Sequence, residues 1–287
     1  MWYFISILSG FFFATADALS KKEATRTPAI VLAWVREFYA LPFLLPLLFF
    51  IEIPEIQPGF WSAMTLLVTL DLITTFLYMR AIQIAPLSLT IPYLGLTPIF
   101  LLLVPVVVLG ETLSIVGIIG VVLVSFGTYI LQIDRAKYGI LEPWLAIIRN
   151  RGSLYMLIVA LLYSVTATYG KVAIIKSSPL FMTIIYFSLL ALGFSLILLF
   201  TERKNYGILF KFPVPKLKIG LAMALMAVAH FSAIGMIQVA YMISIKRLSL
   251  LFAIIYGAVL FKETNLRERL LGGIIILSGA TCIAFAK

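Results

Sequence analysis

The chain has 287 residues, 63% of them hydrophobic and 12% charged, with a formal net charge of +10 and a mean hydropathy of +1.12. Those values exclude a soluble globular domain; apolar runs recurring from end to end point to an integral membrane protein built of helices rather than a barrel. The only cysteine, Cys282, excludes an internal disulfide, and no metal-ligand spacing or nucleotide-binding loop is present, so no metal, no cofactor and no ATP-driven pump are expected.

Each run is near the ~20 residues a helix needs to cross the hydrocarbon core. In chain order they predict spans over 2–20, 28–51, 59–80, 87–109, 113–132, 154–173, 179–201, 218–235, 239–261 and 268–286. The first has no basic residue before it and "KK" after it, the reverse of a secretory signal, so it reads as a retained helix. Pro92, Pro98 and Pro105 interrupt the fourth, where bends can expose carbonyls to a cavity. Gly120 and Gly127 in the fifth, like Gly272 and Gly279 in the tenth, share one helical face and favour close packing. Glu111 and Glu263 end the fourth and ninth and read as interfacial structural residues.

Short connections such as "EIPEIQP" (52–58) and "GET" (110–112) force neighbouring helices antiparallel. Cytoplasmic loops are enriched in Lys and Arg. Basic residues concentrate in alternate connections: Lys21, Lys22, Arg26; Arg80; Arg135, Lys137, Arg149, Arg151; Arg203, Lys204, Lys211, Lys216, Lys218; Lys262, Arg267, Arg269. Only Lys171, Lys176 and Lys287 fall on the other side. The positive charge therefore reports orientation, not a nucleic-acid partner. It puts both termini on the non-cytoplasmic side, with the plasma (inner) membrane as the expected location.

Sliding the chain by 152 residues lays "AIQIAPLSLTIPYLGLTPIFLLLVPVVVLGET" (81–112) on "AIGMIQVAYMISIKRLSLLFAIIYGAVLFKET" (233–264) without a gap. Glu111 then meets Glu263, Gly120 meets Gly272 and Gly127 meets Gly279. The expected architecture is all-α, ten transmembrane helices as two inverted five-helix repeats, residues 1–140 and 150–287. Five is odd, so the second unit inserts upside down relative to the first, an arrangement common in alternating-access transporters with a site between the halves.

The halves "LLLVPVVVLGETLSIVGIIGVVLVSFGTYIL" and "KRLSLLFAIIYGAVLFKETNLRERLLGGIIILSGA" resemble the two EamA-type repeats of the drug/metabolite transporter superfamily. Arg36 in "LAWVREFYALPFLLPLL" also resembles a recurrent arginine of that family's second helix. The resemblance spans essentially the whole chain. It implies a central cavity lined by helices 1, 3, 4, 6, 8 and 9, and cargoes ranging over amino acids, other metabolites, drugs, nucleotide sugars and phosphorylated sugars.

Ionisable groups within a bilayer cost ~2.5–3.5 kcal/mol each on insertion scales, so each needs a reason. Asp71 lies mid-helix, with Thr74, Thr75 and Tyr78 on the same face, a polar stripe that fits a cavity wall or interhelical hydrogen bonding. His230 falls on Tyr78 under the repeat, and an imidazole there either carries a proton, donates to a substrate or bonds a neighbouring helix. Asp71 and His230 are the candidates for ion coupling. Asp17 follows Ser6, Gly10 and Phe13 on one face, close enough to the end of its helix to be hydrated. Arg36 and Glu37 are adjacent, point to different faces, and read as structural intramembrane charges.

Lys246 and Arg247 sit within the ninth run if the preceding turn lies at 236–239, matching Pro86 in the other repeat. Lys246, Ser249, Ala253 and Tyr256 then share a face. A compact ammonium beside a rigid guanidinium suits phosphate or carboxylate, whereas snorkelling to the interface is the competing account. The pair also resembles the Lys-Arg pair with which triose-phosphate translocators hold phosphate. The expected substrate-binding set is Lys246, Arg247, His230, Asp71, Tyr78, Ser249 and Tyr93.

The expected function is secondary transport of a small organic solute by alternating access, an anionic metabolite favoured. A proton-coupled exporter of amino acids or other neutral metabolites is the alternative. No recognisable catalytic motif supports a membrane enzyme, and a ligand-binding membrane receptor is the remaining class. The partners expected are a small-molecule substrate and the lipid bilayer; the sequence does not distinguish a monomer from a homodimer.

Overall fold

The computed structural model describes residues 1–85, 90–130, 150–201, 209–261 and 266–286. Arg135, Lys137, Arg149, Arg203, Lys204, Lys262, Glu263 and Lys287, as well as Pro86, lie outside them. Among the described residues there are helices and no strand. Seven helices are long and apolar enough to cross a membrane by length and composition, and Tyr93–Leu109, Ile115–Ile130 and Gly272–Ala284 are shorter apolar helices.

Helix α1 runs Trp2–Glu23. The next span, expected as one helix, holds regular α2 geometry over Ala29–Phe38, then continues as a short turn Leu41–Leu44 and a 3₁₀ stretch Leu45–Phe49. Pro42 and Pro46 explain this, since neither supplies the N–H that a continuous helix needs. Helix α3 (Phe60–Ile84) is unbroken. The fourth segment, also expected as one helix, is divided: a 3₁₀ stretch Ile91–Leu96, a turn Thr97–Phe100, then Val104–Leu109, each with a proline in its first two residues. The tighter 3₁₀ turns accommodate the missing donors.

Helices α5 (Ile115–Ile130), α6 (Arg151–Ile175) and α7 (Pro179–Thr201) follow. Asn150 caps α6 by accepting from the N–H groups of Gly152 and Ser153. Helix α8 (Pro213–Ile234) begins earlier than expected, with proline at its first position, so Lys216 and Lys218 belong to its opening turns. The reversal before the ninth span falls at residues 235–238, and the span is interrupted, not continuous: α9a is Val239–Lys246 and α9b is Ser249–Phe261. Helix α10 is Leu266–Ala284.

Three long helix pairs dominate the packing: α1 against α8, α3 against α6, and α5 against α10. In the last, glycines replace side chains. A Cβ on Gly120 would lie 2.8 Å from the Gly279 carbonyl oxygen, and one on Gly127 would lie 2.8 Å from that of Gly272. Lysines pin the ends of α3 and α8. Lys21 Nζ donates to the carbonyls of Ile82 (2.5 Å) and Ala85 (2.9 Å), and Lys171 Nζ to that of Ile237 (2.7 Å).

Lys171 also forms an ion pair with Glu111 (2.5 Å), whose carboxylate accepts from the Val239 N–H at the start of α9a. Glu111→Ala, which strips both the lysine and the helix terminus of their acceptor, is expected to cost about 1–3 kcal/mol and to lower the melting temperature of the purified protein measured in detergent.

Polarity is inverted relative to a soluble protein. Exposed residues include Phe4, Phe49, Phe50, Val107, Ile115 and Phe200, while Asp17, Arg36, Glu37, Asp71, Lys246 and Arg247 are buried. That distribution fits a molecule with lipid outside and polar groups inside.

Candidate functional site

Breaking the ninth helix is what positions its two cations. Arg247 N–H reaches back to the carbonyls of both Ile243 and Ser244 (3.1 Å each), and Leu248 N–H to Ile245 (3.0 Å), so the coil tightens to three-residue spacing where α9a ends. Gly10 of α1 receives this turn, for a Cβ there would stand 2.7 Å from the Lys246 carbonyl oxygen. The ninth helix, expected to be continuous, is thus interrupted between Lys246 and Ser249.

Lys246 is 8% exposed and Arg247 4%, so neither side chain reaches outward to an interface. Both line an internal cavity of about 100 Å³, together with Asp71, Tyr78 and His230. Arg36 and Glu37 line it too. Ser249 and Tyr93 are buried but are not among its described lining residues.

Within this wall the polar groups fall into two sets. Arg36 is committed: its guanidinium pairs with Asp17 Oδ1 at 2.7 Å, and the Tyr78 hydroxyl donates to Asp17 Oδ2 at 2.6 Å. The expected hydration of Asp17 is thus overturned. Helix α1 continues past it to Glu23, and Arg36 from α2 and Tyr78 from α3 cover it, leaving it 3% exposed. The arginine also lies 5.5 Å from the ring centroids of Phe13 and Tyr78.

The second set has capacity to spare. Lys246 Nζ stands 3.2 Å from His230 Nδ1 and 4.7 Å from the Phe13 ring centroid. As an ammonium, Lys246 can only donate, which needs Nδ1 free to accept and the imidazole proton on Nε2. Asp71 Oδ2 accepts from the Tyr186 hydroxyl at 2.6 Å. Asp71 Oδ1, Glu37 Oε2, Thr97 Oγ1 and Arg247 Nε are buried with no hydrogen-bond partner in the protein. All four belong to residues lining this cavity. Buried polar groups are normally satisfied, so their convergence marks a place built for polar contact.

Helices α2 and α7 contribute to the wall in addition to the elements expected from the family resemblance. Tyr163 and Thr166 of α6 and Tyr186 of α7 were not singled out from the sequence. For α6 the signal was available: Tyr163, Thr166 and Gly170 fall on one helical face within "YSVTATYG". Tyr186 had no such stripe and is found only through its partner, Asp71.

The sequence profile of the EamA-like transporter family matches residues 1–133 and 150–285. A solved structure described as "Crystal structure of protein" superposes with a TM-score of 0.72 over 98% of this chain and 96% of its own, at 16% identity, a likeness of fold. Comparison with curated proteins gave no match. A profile covering nearly the whole chain, joined to helices that carry apolar surfaces outside and charges inside, shows that this integral multi-pass membrane protein belongs to the EamA-like transporter family.

Proposed function

We propose that the protein is a secondary transporter that moves a small organic solute by alternating access between two inverted five-helix units, residues 1–140 and 150–287, and that the solute bears a phosphate or carboxylate. The observation that carries the anion reading is the placement of Lys246 and Arg247. They are buried in a cavity wall, with no carboxylate at salt-bridge distance among the described residues and with Arg247 Nε unpartnered. Two adjacent buried cations are costly alone, and an anion between them offsets that cost.

Reciprocal contacts support the inverted arrangement. Under the 152-residue offset Gly120 corresponds to Gly272 and Gly127 to Gly279; in the fold Gly120 touches Gly279 and Gly127 touches Gly272. Each partner thus meets the other's counterpart, as a two-fold axis requires. Lys21 on Ala85 and Lys171 on Ile237 repeat one contact, since Ala85 maps on Ile237. A second reading, proton-coupled export of a neutral metabolite, draws on the buried carboxylate of Asp71.

Counterflow in proteoliposomes tests the anion reading. Phosphorylated sugars or carboxylates are expected to exchange, and Lys246→Ala/Arg247→Ala to slow that exchange at least tenfold, given ~1.5–3 kcal/mol for each hydrogen bond to a charged group. Exchange of neutral amino acids or cationic drugs, unimpaired in the folded double variant, sinks this reading.

A further inference from the structure

The turn at residues 110–114 joins the two halves. Gly110, with φ of 66°, ends the fourth segment, and Glu111 follows it in the first half. Its partners belong to the second half. One carboxylate oxygen pairs with Lys171 Nζ near the end of α6, and the other accepts from the Val239 N–H at 3.0 Å. Beside them, Gln238 Nε2 donates to the Thr112 carbonyl (3.3 Å) and the Ser114 N–H to the Tyr241 hydroxyl (2.8 Å).

These contacts stand in line with the cavity. Ala167 and Ile243 belong to its wall. Lys171 follows Ala167 by four residues on α6, and Val239 precedes Ile243 by four on α9a, so each shares a helical face with a lining residue, about 6 Å along the axis. The side chains of Glu111 and Lys171 are nonetheless 9% and 13% exposed, shielded although they lie at helix ends. Helix α9a, held at its first residue by Glu111, carries Lys246 at its last.

From this placement we infer that Glu111 and Lys171 form a latch that closes the cavity at this end of the molecule, and that its opening admits or releases the solute. The inference rests on alternating access and goes beyond it by naming the residues that hold one face shut. The other junction described between the halves has a different chemistry. Helices α5 and α10 meet through glycine backbones, whereas an ion pair at a helix end can exchange its partner for water and form again. A contact made in one state and absent from the other biases the equilibrium between them.

A single thiol in the cavity tests the latch. Cys282→Ala removes the only native cysteine, and Ala167→Cys places one on the cavity wall. Labelling by a membrane-impermeant maleimide, added to intact cells and to inverted vesicles, reads access from each face. Glu111→Gln still accepts from the Val239 N–H, so the start of α9a stays capped, and Lys171→Gln removes the opposite charge. Each is expected to raise labelling from the Glu111 face by about fivefold or more, as for loss of a hydrogen bond between charged groups, and to lower it from the other face. The double variant is expected to differ from either single one by less than about twofold, because the two act as a pair. Lys176→Gln is the control, since this lysine bonds the Pro58 carbonyl in an exposed setting; its labelling is expected to match the parent. Monodispersity on gel filtration shows that the variants are folded.

Unchanged labelling in both single variants overturns the latch, and the pair then only braces helix ends. An equal rise from both faces overturns it too, because the bundle has loosened as a whole, as does an equal rise in Lys176→Gln, which reports surface charge. In each of these cases alternating access stands or falls by counterflow in the parent protein. A rise on the Glu111 face with no fall on the other supports the latch and overturns alternating access.

Discussion

Arg36→Ala is expected to lower stability by about 3–5 kcal/mol, the cost of leaving one member of a buried ion pair alone. Asp17 would then keep the Tyr78 hydroxyl at 2.6 Å but lose the guanidinium at 2.7 Å, while 3% exposed. Asp17→Ala strands the arginine instead and should cost as much. The double variant Asp17→Leu/Arg36→Leu removes both charges and is expected to recover a large part of the loss, because two apolar groups need no desolvation offset. Thermal melts in detergent for the two single variants and the double one measure the coupling. Equal, small losses in all three would mean that water reaches the pair.

The other large effect is expected where α5 meets α10. A Cβ on Gly279 would lie 2.7 Å from both the carbonyl oxygen of Gly120 and the amide nitrogen of Val124. Those are backbone atoms, so no rotamer change relieves the contact and the helices must separate. Gly279→Val is therefore expected to exceed the ~1–3 kcal/mol typical of overpacking and to yield no monodisperse protein. Gly170→Ala is the control: a Cβ there meets only the Phe231 and Met182 side chains, at 3.5 and 3.9 Å. Within α6 that change is expected to be neutral or to stabilise by roughly 0.5–1 kcal/mol. Comparable melting temperatures for the two variants would show that α5 and α10 are not held as closely as described.

Hydropathy and turn chemistry made much of the helix layout legible. The helix Pro179–Thr201 occupies the residues expected of it, and the reversal before α9a falls where the repeat places it. The polar stripe Asp71, Thr74, Thr75 and Tyr78 was also visible, since it depends only on spacing along one helix. What depends on other helices was not. Asp17 reads as hydrated until α2 and α3 cover it, and α7 enters the wall through Tyr186, which reaches Asp71, and Phe187. The break after Lys246 carries no proline or glycine of its own and becomes intelligible only against α1. Pairing of Arg36 with Asp17 was hidden for the same reason, because the two stand on different helices, 19 residues apart.

That contact with α1 bears on how this cavity can change over generations. Where Lys246 turns, its carbonyl rests on a residue with no side chain, so the depth of both cations is set jointly by the turn in α9 and by Gly10 across the interface. One methyl at that position would push the whole turn, ammonium and guanidinium together, without altering either charge. A lineage could thus shift both cations relative to Glu37 and Asp71 while every side chain that lines the cavity stays the same. Comparing only the residues that line the cavity would miss such a change.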